Sequence, residues 1–286
     1  MSKNRNTSAQ AAVRWKSALT HAVLLMLAVG MLYPLAWMIV SSLRNNDEIF
    51  SNPSLIPDSL TLSNYVTGWT AQQFPFSRYF LNSFLVTAAS ILGNLLACSL
   101  TAYAFARLQF RFKRFWLAVL LGTIMLPEHV TIVPQYLIFS ELGWLDSYLP
   151  LIIPKFFGVE AFFVFLMVQF MRSIPKELDE AAWIDGCGPI RMYWRIILPL
   201  TVPALTTTAI FTFIWTWNDF FRPLIFITSS DLFTVPMALR LFVDPTAGTN
   251  WGALFAMSVL SLVPVFVFFL AGQRFLIKGI STTGLK

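Results

Sequence analysis

The sequence predicts an all-α integral membrane protein with six transmembrane helices and a cytoplasmic helix-turn-helix loop between helices four and five. The composition is the first indication: 57% of the 286 residues are hydrophobic, only 12% are charged, and the mean hydropathy is +0.67. A soluble domain carries about 25% charged residues. The second is that apolar runs of bilayer length, about 20 residues each, occur six times. The third is that basic residues are concentrated in alternate connecting segments, as in multi-spanning membrane proteins.

The six predicted spans are residues 19–40, 80–106, 115–139, 148–171, 203–228 and 252–272. The first run has no small-residue cleavage site and is therefore interpreted as a retained anchor. Residues 1–18 are predicted to form a cytoplasmic tail, and residues 19–286 a single transmembrane domain.

Two of the spans contain residues that interrupt helices. The third contains Pro127 and Pro134, and the fourth contains Pro150, Pro154 and Gly158. Such breaks are tolerated where neighbouring protein satisfies the freed backbone groups. We therefore expect spans three and four to pack against other helices at their outer ends.

The distribution of lysine and arginine predicts that both termini face the cytoplasm. With the amino terminus inside, the external segments carry only Arg44, Arg78 and Arg240. The cytoplasmic segments carry fifteen basic residues: Lys3, Arg5, Arg14, Lys16, Arg107, Arg111, Lys113, Arg114, Arg172, Lys176, Arg191, Arg195, Arg274, Lys278 and Lys286. This segregation argues against a nucleic-acid partner and indicates a multi-pass protein of the cytoplasmic membrane, in contact with lipid.

The cytoplasmic loop 174–199 carries helix and turn signals in order. Pro175 and the acidic residues that follow it favour a helix start, because negative charge offsets the helix dipole there. Gly186 and Gly188 favour the end of this helix, and Pro189 the start of a second. Arg191 and Arg195 are expected on one face of that second helix. The pattern predicts a rigid docking element.

This loop resembles the signature of the permease subunits of bacterial ABC importers. That signature is Glu-Ala-Ala, three residues, Gly, nine residues, Ile, one residue and Leu-Pro. The sequence has Glu180-Ala181-Ala182, Gly186, Ile196 and Leu198-Pro199 at those spacings. Further resemblance, to the carbohydrate branch that includes maltose-type permeases, lies in Trp217-Asn-Asp-Phe-Phe-Arg-Pro-Leu224 and in the carboxyl-terminal residues 279–286.

The resemblance implies a pore-forming subunit that translocates a sugar or oligosaccharide and couples to a partner ATPase through this loop. Glu180 would pair with a basic residue of the ATPase, Ala181 and Ala182 would allow close approach, and Gly186 would separate the two helices. The residues implied in coupling are Glu180, Ala181, Ala182, Asp185, Gly186, Arg191, Ile196, Leu198 and Pro199. The tail residues Lys278, Gly284 and Lys286 would reach toward the ATPase dimer.

The resemblance also implies partners: a second related permease in a heterodimer, two ATPase subunits and an extracytoplasmic solute-binding protein. The sequence has no Gly-x-x-x-x-Gly-Lys-Ser/Thr phosphate loop. We therefore expect no enzymatic activity and no cofactor in this chain, with ATP and Mg²⁺ held by the ATPase subunits. Cys98 and Cys187 do not suggest a metal site.

Polar residues inside the spans are candidates for the substrate path, because a charge in the bilayer costs about 2.5–3.5 kcal/mol on insertion scales. The candidates are Glu160 in span four and Asn218, Asp219 and Arg222 in span five. Asp219 and Arg222, three residues apart, are expected to pair on one helical face, which leaves open a purely structural role. Lys155 and Glu160, five apart and thus about 140° around a helix, are not expected to pair.

The aromatic residues Trp215, Trp217 and Phe221 could stack on sugar rings, but we favour a role as lipid-interface anchors. Alternative functions are a permease for an acidic oligosaccharide, glycerol phosphate or another polar metabolite, and an ion-coupled secondary transporter. The latter would show helices broken at matching places in two halves, whereas the breaks are expected only in spans three and four. A membrane enzyme needs a nucleophile–base or metal constellation. It is disfavoured because one of the two histidines, His21, is predicted at a membrane edge and the other, His129, in an external turn.

Overall fold

The computed structural model describes residues 3–51, 54–57, 59–243 and 248–283. Within these ranges the regular structure is helical, and they contain no β-strand. The chain divides into two compact units, Met1–Gly68 with Phe242–Val259 and Trp69–Leu241 with Leu260–Lys286.

The first unit contains three helices and the start of the last helix of the chain. Its members are α1 (Lys3–Ser42), α2 (Glu48–Ser51), α3 (Ser63–Thr70), which ends in the second unit, and the beginning of α15 (Trp251–Thr283). The buried Asn64 side chain donates hydrogen bonds to the carbonyls of Ser42 and Arg44, 2.9 and 2.6 Å away, and so attaches α3 to the end of α1. The Trp37 and Phe255 rings meet edge to face, 5.4 Å between centroids.

The second unit is organised around one long helix, α4 (Phe76–Arg107). Helix α4 packs against α8 (Ala161–Ser173) and α12 (Val202–Trp217). Its face toward these neighbours is lined by small and polar residues, among them Ser90 and Asn94, both buried, and Asn94 donates to the Thr212 hydroxyl at 3.1 Å. Small and hydrogen-bonding residues allow close helix packing in membranes, where no hydrophobic driving force is available.

Apart from the continuation of α15, the remaining helices of this unit are short. They are α5 (Lys113–Thr123), α6 (Glu128–Glu141), α7 (Leu149–Ile152), α9 (Glu177–Ile184), α10 (Pro189–Met192), α11 (Leu198–Leu200), α13 (Phe221–Phe226) and α14 (Val235–Arg240). Two 3₁₀ segments, Ile153–Phe157 and Ser230–Leu232, and one π-helical turn, Tyr193–Ile197, join them.

Four helical segments among the described residues are long and apolar enough to cross a membrane: Ser17–Ser42, Phe76–Arg107, Leu149–Ser173 and Trp251–Gln273. A bent pair, Pro189–Leu200 with Val202–Trp217, could form a fifth, although the two parts meet at 75°. An all-helical membrane fold is therefore confirmed, while the number of six spans stays a prediction.

The third predicted span consists of two helices separated by residues 124–127. Pro127 precedes α6, and since each helix is shorter than the about 20 residues that a bilayer requires, neither crosses it alone. Pro134 lies inside α6 and does not end it, so the break expected there is wrong. As expected, the ends predicted to be outer are packed: Ile132 and Phe139 of α6 join Leu151 and Phe226 in a buried apolar cluster.

The fifth predicted span, 203–228, is also broken, and our expectation that breaks occur only in spans three and four is wrong. Helix α12 ends at Trp217, and α13 begins at Phe221. The sequence 218–220 contains no proline or glycine that would have indicated the interruption. The pattern of breaks consequently offers no argument against an ion-coupled transporter.

Candidate functional site

The loop 174–199 folds as the predicted helix-turn-helix. Its first helix, α9, has Glu177, Asp179 and Glu180 in the first turn, where carboxylates stabilise the positive end of the helix dipole. Its second helix, α10, begins at Pro189, which fits a first-turn position because proline lacks the N–H that would be unsatisfied there.

The turn between these helices is a Schellman motif. Gly186 has φ +72°, as expected for a glycine that ends a helix, since this left-handed conformation strains residues with a Cβ. The Cys187 N–H donates to the Ala182 carbonyl at 2.8 Å, and the Gly186 N–H donates to the Trp183 carbonyl at 3.0 Å. These two bonds satisfy carbonyls that would otherwise be left unpaired at the helix end.

The second helix continues through the π-helical turn Tyr193–Ile197 into α11. Pro199, in α11, cannot donate to a carbonyl of the preceding turn, and a wider turn accommodates its ring. Arg191 and Arg195 are both exposed, as expected for residues on one outward face, whereas Ile196 and Leu198 are half-buried.

Three side chains from one face of α4 attach this loop to the helix bundle. The Ser99 and Tyr193 hydroxyls are 2.7 Å apart, and the Tyr103 hydroxyl donates to the Pro189 carbonyl at 2.9 Å. Arg107 Nη1 lies 3.0 Å from Asp179 Oδ2. Residues 99, 103 and 107 are four apart, so they share one side of α4.

The Arg107–Asp179 pair, which we call the latch, is the one ion pair among these three attachments. The Arg107 side chain is 4% exposed and that of Asp179 17%. Arg107 Nη2 also donates to the Ile174 carbonyl at 2.8 Å, just before α9. The latch therefore joins the end of α4 to both the start and the first turn of the loop. The sequence does not indicate this pair, because 72 residues separate its two partners.

The two alanines of the signature have different surroundings. Ala181 is exposed, but Ala182 is 4% exposed and lies in the buried cluster that includes Phe163, Met167 and Tyr193. The expectation that both alanines allow an outside surface to approach is therefore wrong for Ala182. Its small size instead lets α9 pack closely on helices of this chain.

The outward side of the loop combines apolar and charged side chains. Trp183, Ile184 and Ile190 are 58%, 87% and 76% exposed. Glu180, Asp185 and the two arginines of the second helix are exposed on the same loop. A cluster of exposed large apolar side chains edged by charges is typical of a protein-protein contact.

Basic residues converge beside this loop. The pKa of Lys113 is lowered, first by burial and then by repulsion from Arg172 and Lys176. The Lys113 ammonium donates to the Leu108 carbonyl at 2.7 Å, which holds it near those charges. Basic residues from two cytoplasmic segments predicted from the sequence, Lys113 in one and Arg172 with Lys176 in the other, are thus close together in the fold.

A second group of functional candidates lies where the fourth span is interrupted. Gly158 has φ +66° and ends the 3₁₀ segment, and Glu160 precedes α8. The Lys155 ammonium donates to the Glu160 carboxylate in an ion pair. The expectation that these two residues do not pair is wrong, because the 100° per residue of a continuous helix does not apply across the break.

Asp219 and Arg222 pair as predicted, with 3.8 Å between Oδ2 and Nη1, but not on one continuous helix. Asp219 lies in the break before α13, and its Oδ1 accepts hydrogen bonds from the N–H groups of Phe221 and Arg222. It thereby caps α13. Asn218 is exposed, and its side-chain amide donates to the Ile214 carbonyl at 2.8 Å.

Three cavities, of about 660, 440 and 380 Å³, have both Glu160 and Arg222 in their walls. The smallest is lined by Lys155, Glu160, Trp215, Thr216, Asp219 and Arg222. Of the four residues proposed from the sequence for the substrate path, Glu160, Asp219 and Arg222 are thus brought together, whereas Asn218 does not line these cavities.

The aromatic residues have three distinct environments. Trp217 is 2% exposed and donates from Nε1 to the Ser261 carbonyl at 3.0 Å, so its interpretation as a lipid-interface anchor is wrong. Trp215 is 47% exposed and stacks on the Phe163 ring at 5.0 Å. Phe221 meets His129 edge to face at 4.9 Å.

The tail residues are implied in a contact with the ATPase dimer. Gly284, Lys286 and the side chain of Lys278 lie outside the part of the chain that the structure describes.

Comparison with known proteins agrees with this architecture. Residues 91–282 match the family model of the binding-protein-dependent transport system inner membrane component. The chain is 36% identical over 258 residues to a probable ABC transporter permease protein, YurM, of Bacillus subtilis, covering 90% of this chain and 85% of that protein. It is 31% identical over 262 residues to the trehalose/maltose transport system permease protein MalG of Thermococcus litoralis, covering 92% and 94%.

The fold is also similar to a chain in the crystal structure of a bacterial ABC transporter involved in the import of the acidic polysaccharide alginate. The TM-score is 0.83 at 21% identity, over 93% of this chain and 98% of that chain. At this identity the likeness concerns the fold. With the family model covering most of the chain, these relatives establish that the protein is a binding-protein-dependent transport system inner membrane component, the permease of an ABC importer.

Proposed function

We propose that this chain forms one half of the translocation pore of an ABC importer for a sugar or oligosaccharide. The observation that carries the coupling part of the proposal is the folded signature loop, with Glu180 exposed in the first turn of α9 and the loop fixed to α4 by the latch. The relative named for trehalose and maltose supports a carbohydrate substrate. Nothing in the comparisons supports an ion-coupled transporter.

In this proposal the chain has six spans with both termini in the cytoplasm. The fifteen-to-three distribution of basic residues supports this orientation, and so does the convergence of Lys113, Arg172 and Lys176 beside the signature loop. The third span would then be built from α5 and α6 together, and the fifth would continue from α12 into α13.

The complete importer would contain a second, related permease in a heterodimer, two ATPase subunits and an extracytoplasmic binding protein. ATP and Mg²⁺ would be bound by the ATPases, and this chain would hydrolyse no ATP, because its sequence lacks a phosphate loop. The exposed Trp183, Ile184 and Ile190 would enter a cleft of one ATPase, with Glu180, Asp185 and Arg191 around them. Lys278, Gly284 and Lys286 would add a contact near the ATPase dimer.

A charge reversal in the loop tests the docking proposal. Glu180→Lys should repel a basic partner and reduce the amount of ATPase that co-purifies with the membrane subunits. Glu141→Lys is the matched control, because Glu141 is also exposed but is the last residue of α6, at the end predicted to be external. Equal recovery of ATPase with both variants would show that this loop is not the docking element.

Labelling of single cysteines tests the orientation. In a Cys187→Ser background, cysteines at Lys113 and Lys286 should react with an impermeant reagent only from the cytoplasmic side. Cysteines at Ser54 and Asp146 should react only from the opposite side. Reaction of the Ser54 and Lys113 positions from one side would refute the topology.

A further inference from the structure

The 380 Å³ cavity at the helix breaks is lined by two cations and two anions. Lys155 pairs with Glu160, and Arg222 pairs with Asp219. The four side chains retain between 9% and 29% exposure, so each is part-buried and still presents polar atoms to the cavity. A volume of this size is in the range of small-molecule sites, about 300–1,000 Å³.

The formal charges of this cluster sum to zero. An anionic solute that enters the cavity approaches both carboxylates as well as the two cations, and it must lose its hydration in a partly buried place. No uncompensated positive charge among the four offsets that loss. Arg222 also attracts Glu160 electrostatically. The two ion pairs therefore act as one cluster in which positive and negative charges balance.

An uncharged hydroxyl group suits the same cluster well. It donates to a carboxylate and accepts from an ammonium or guanidinium, and both kinds of partner are present within one cavity. Hydrogen bonds to ionised groups are stronger than those between neutral groups. A solute with several hydroxyls can therefore exchange its water for this wall without bringing in a net charge.

An aromatic face completes the cavity. Trp215 lies in the wall and is 47% exposed, while its indole stacks on Phe163 at an interplanar angle of 29°. Packing on one side holds the ring in place, and the other part of its surface stays accessible. An immobilised aromatic ring next to polar groups is typical of sites for ligands that have both apolar and polar surface. A sugar is such a ligand, because its C–H faces are apolar and its hydroxyls are polar.

We propose that Lys155, Glu160, Asp219 and Arg222, with Trp215 beside them, form a subsite for an uncharged, hydroxyl-rich solute. The balance of charge makes it a filter against anionic sugar acids. The inference rests on the proposed function, because the cavity must lie on the path of the solute.

The test uses the assembled transporter without its binding protein, so that the selectivity measured belongs to the membrane part. A cysteine is introduced at Thr216, which lines the cavity, in a Cys187→Ser background; Cys98 is buried. The thiol is labelled with 2-hydroxyethyl methanethiosulfonate, an uncharged reagent whose local concentration does not follow the electrostatic potential. Maltotriose and trigalacturonate are the two probes.

Maltotriose should slow labelling, by about threefold at a concentration of twice its Kd, since one third of the sites are then free. Trigalacturonate should leave the rate unchanged. Glu160→Gln makes the cluster net positive, and trigalacturonate should then protect the thiol. Arg222→Gln makes the cluster net negative, and trigalacturonate should still give no protection. Asp219→Asn is a second route to net positive charge and keeps an oxygen that can cap α13.

The inference is overturned if trigalacturonate protects the unaltered cluster as well as maltotriose does. It is also overturned if neither probe protects, or if neither Glu160→Gln nor Asp219→Asn gains protection by trigalacturonate. Co-purification of the ATPase from the same preparations distinguishes failure of the subsite from failure of the proposed function. If ATPase is recovered and its recovery depends on Glu180, but the two probes do not protect the thiol as predicted, the permease assignment stands and only the subsite is refuted.

Discussion

Removing the charge of Asp179 should loosen the signature loop from the helix bundle. Asp179→Asn leaves Arg107, whose side chain is only 4% exposed, without its ionic partner. Breaking a buried ion pair by removing one partner costs about 3–5 kcal/mol. Because Asp179 keeps 17% exposure and asparagine still offers a hydrogen-bond acceptor, we expect a cost at or just below the lower end of that range, about 2–3 kcal/mol.

A cost of this size multiplies the population of the detached loop by about 30 to 150, at a factor of ten for each 1.4 kcal/mol. Native-state proteolysis measures that population when opening and closing are fast relative to cleavage. The assay is trypsin cleavage after Arg191 and Arg195 in the purified permease pair without ATPase, since both arginines are exposed in the loop.

Asp185→Asn is the control, because it removes the same charge from the same loop at an exposed position. Surface substitutions usually change stability by less than about 0.5 kcal/mol, which is about a twofold change in cleavage. If Asp179→Asn is cleaved no faster than Asp185→Asn, the latch does not hold the loop and the reasoning is wrong.

Two further predictions concern turns. Gly186→Val should speed the same trypsin cleavage, because Gly186 has a positive φ and a residue with a Cβ loses about 1–2 kcal/mol in that left-handed conformation. Gly188→Ala is the control and should not speed it, because Gly188 has φ −68° and open space around it. Equal cleavage rates for the two variants would contradict the prediction. Asp146, whose carboxylate accepts hydrogen bonds from the N–H groups of Thr228 and Ser229 and from the Ser229 hydroxyl, has its pKa lowered from 3.8 to about 2. Since the folded-state pKa is the lower one, this stabilisation is complete above about pH 4 and is lost as the pH falls toward 2. Asp146→Asn should therefore lower the thermal midpoint at pH 6 and flatten its dependence on pH between 4 and 2, and an unchanged slope in that window would refute the assignment.

The signature loop could be predicted from the sequence because its determinants are local. A first turn of carboxylates, a glycine with positive φ and a proline at the start of the second helix act within a few residues of each other. The latch could not be predicted, since its two partners belong to segments that meet only after α4 and the loop have packed. The same limit explains Ala182, whose small side chain suits either an outside surface or the interior.

The breaks in the membrane spans could not be predicted from hydropathy. Hydropathy locates apolar segments but does not reveal where their helices are interrupted. At Gly158 a glycine indicates the possibility of a break, yet treating residues 155 and 160 as parts of a regular helix separated two side chains that form an ion pair. Between Trp217 and Phe221 the break is stabilised by Asp219, whose carboxylate accepts hydrogen bonds from the N–H groups of Phe221 and Arg222. Hydropathy carries no information about this local cap.

The Lys155–Glu160 pair has a consequence for how the chain enters the membrane during synthesis. Each ionised side chain near the centre of an inserting helix costs about 2.5–3.5 kcal/mol. Here both belong to one segment, Leu149–Ser173, and lie five positions apart on either side of Gly158. Their attraction needs no other helix, so it is available as soon as this segment leaves the translocon. The pair can therefore enter lipid with its two charges neutralised, before the helices that later surround it have been made or have arrived.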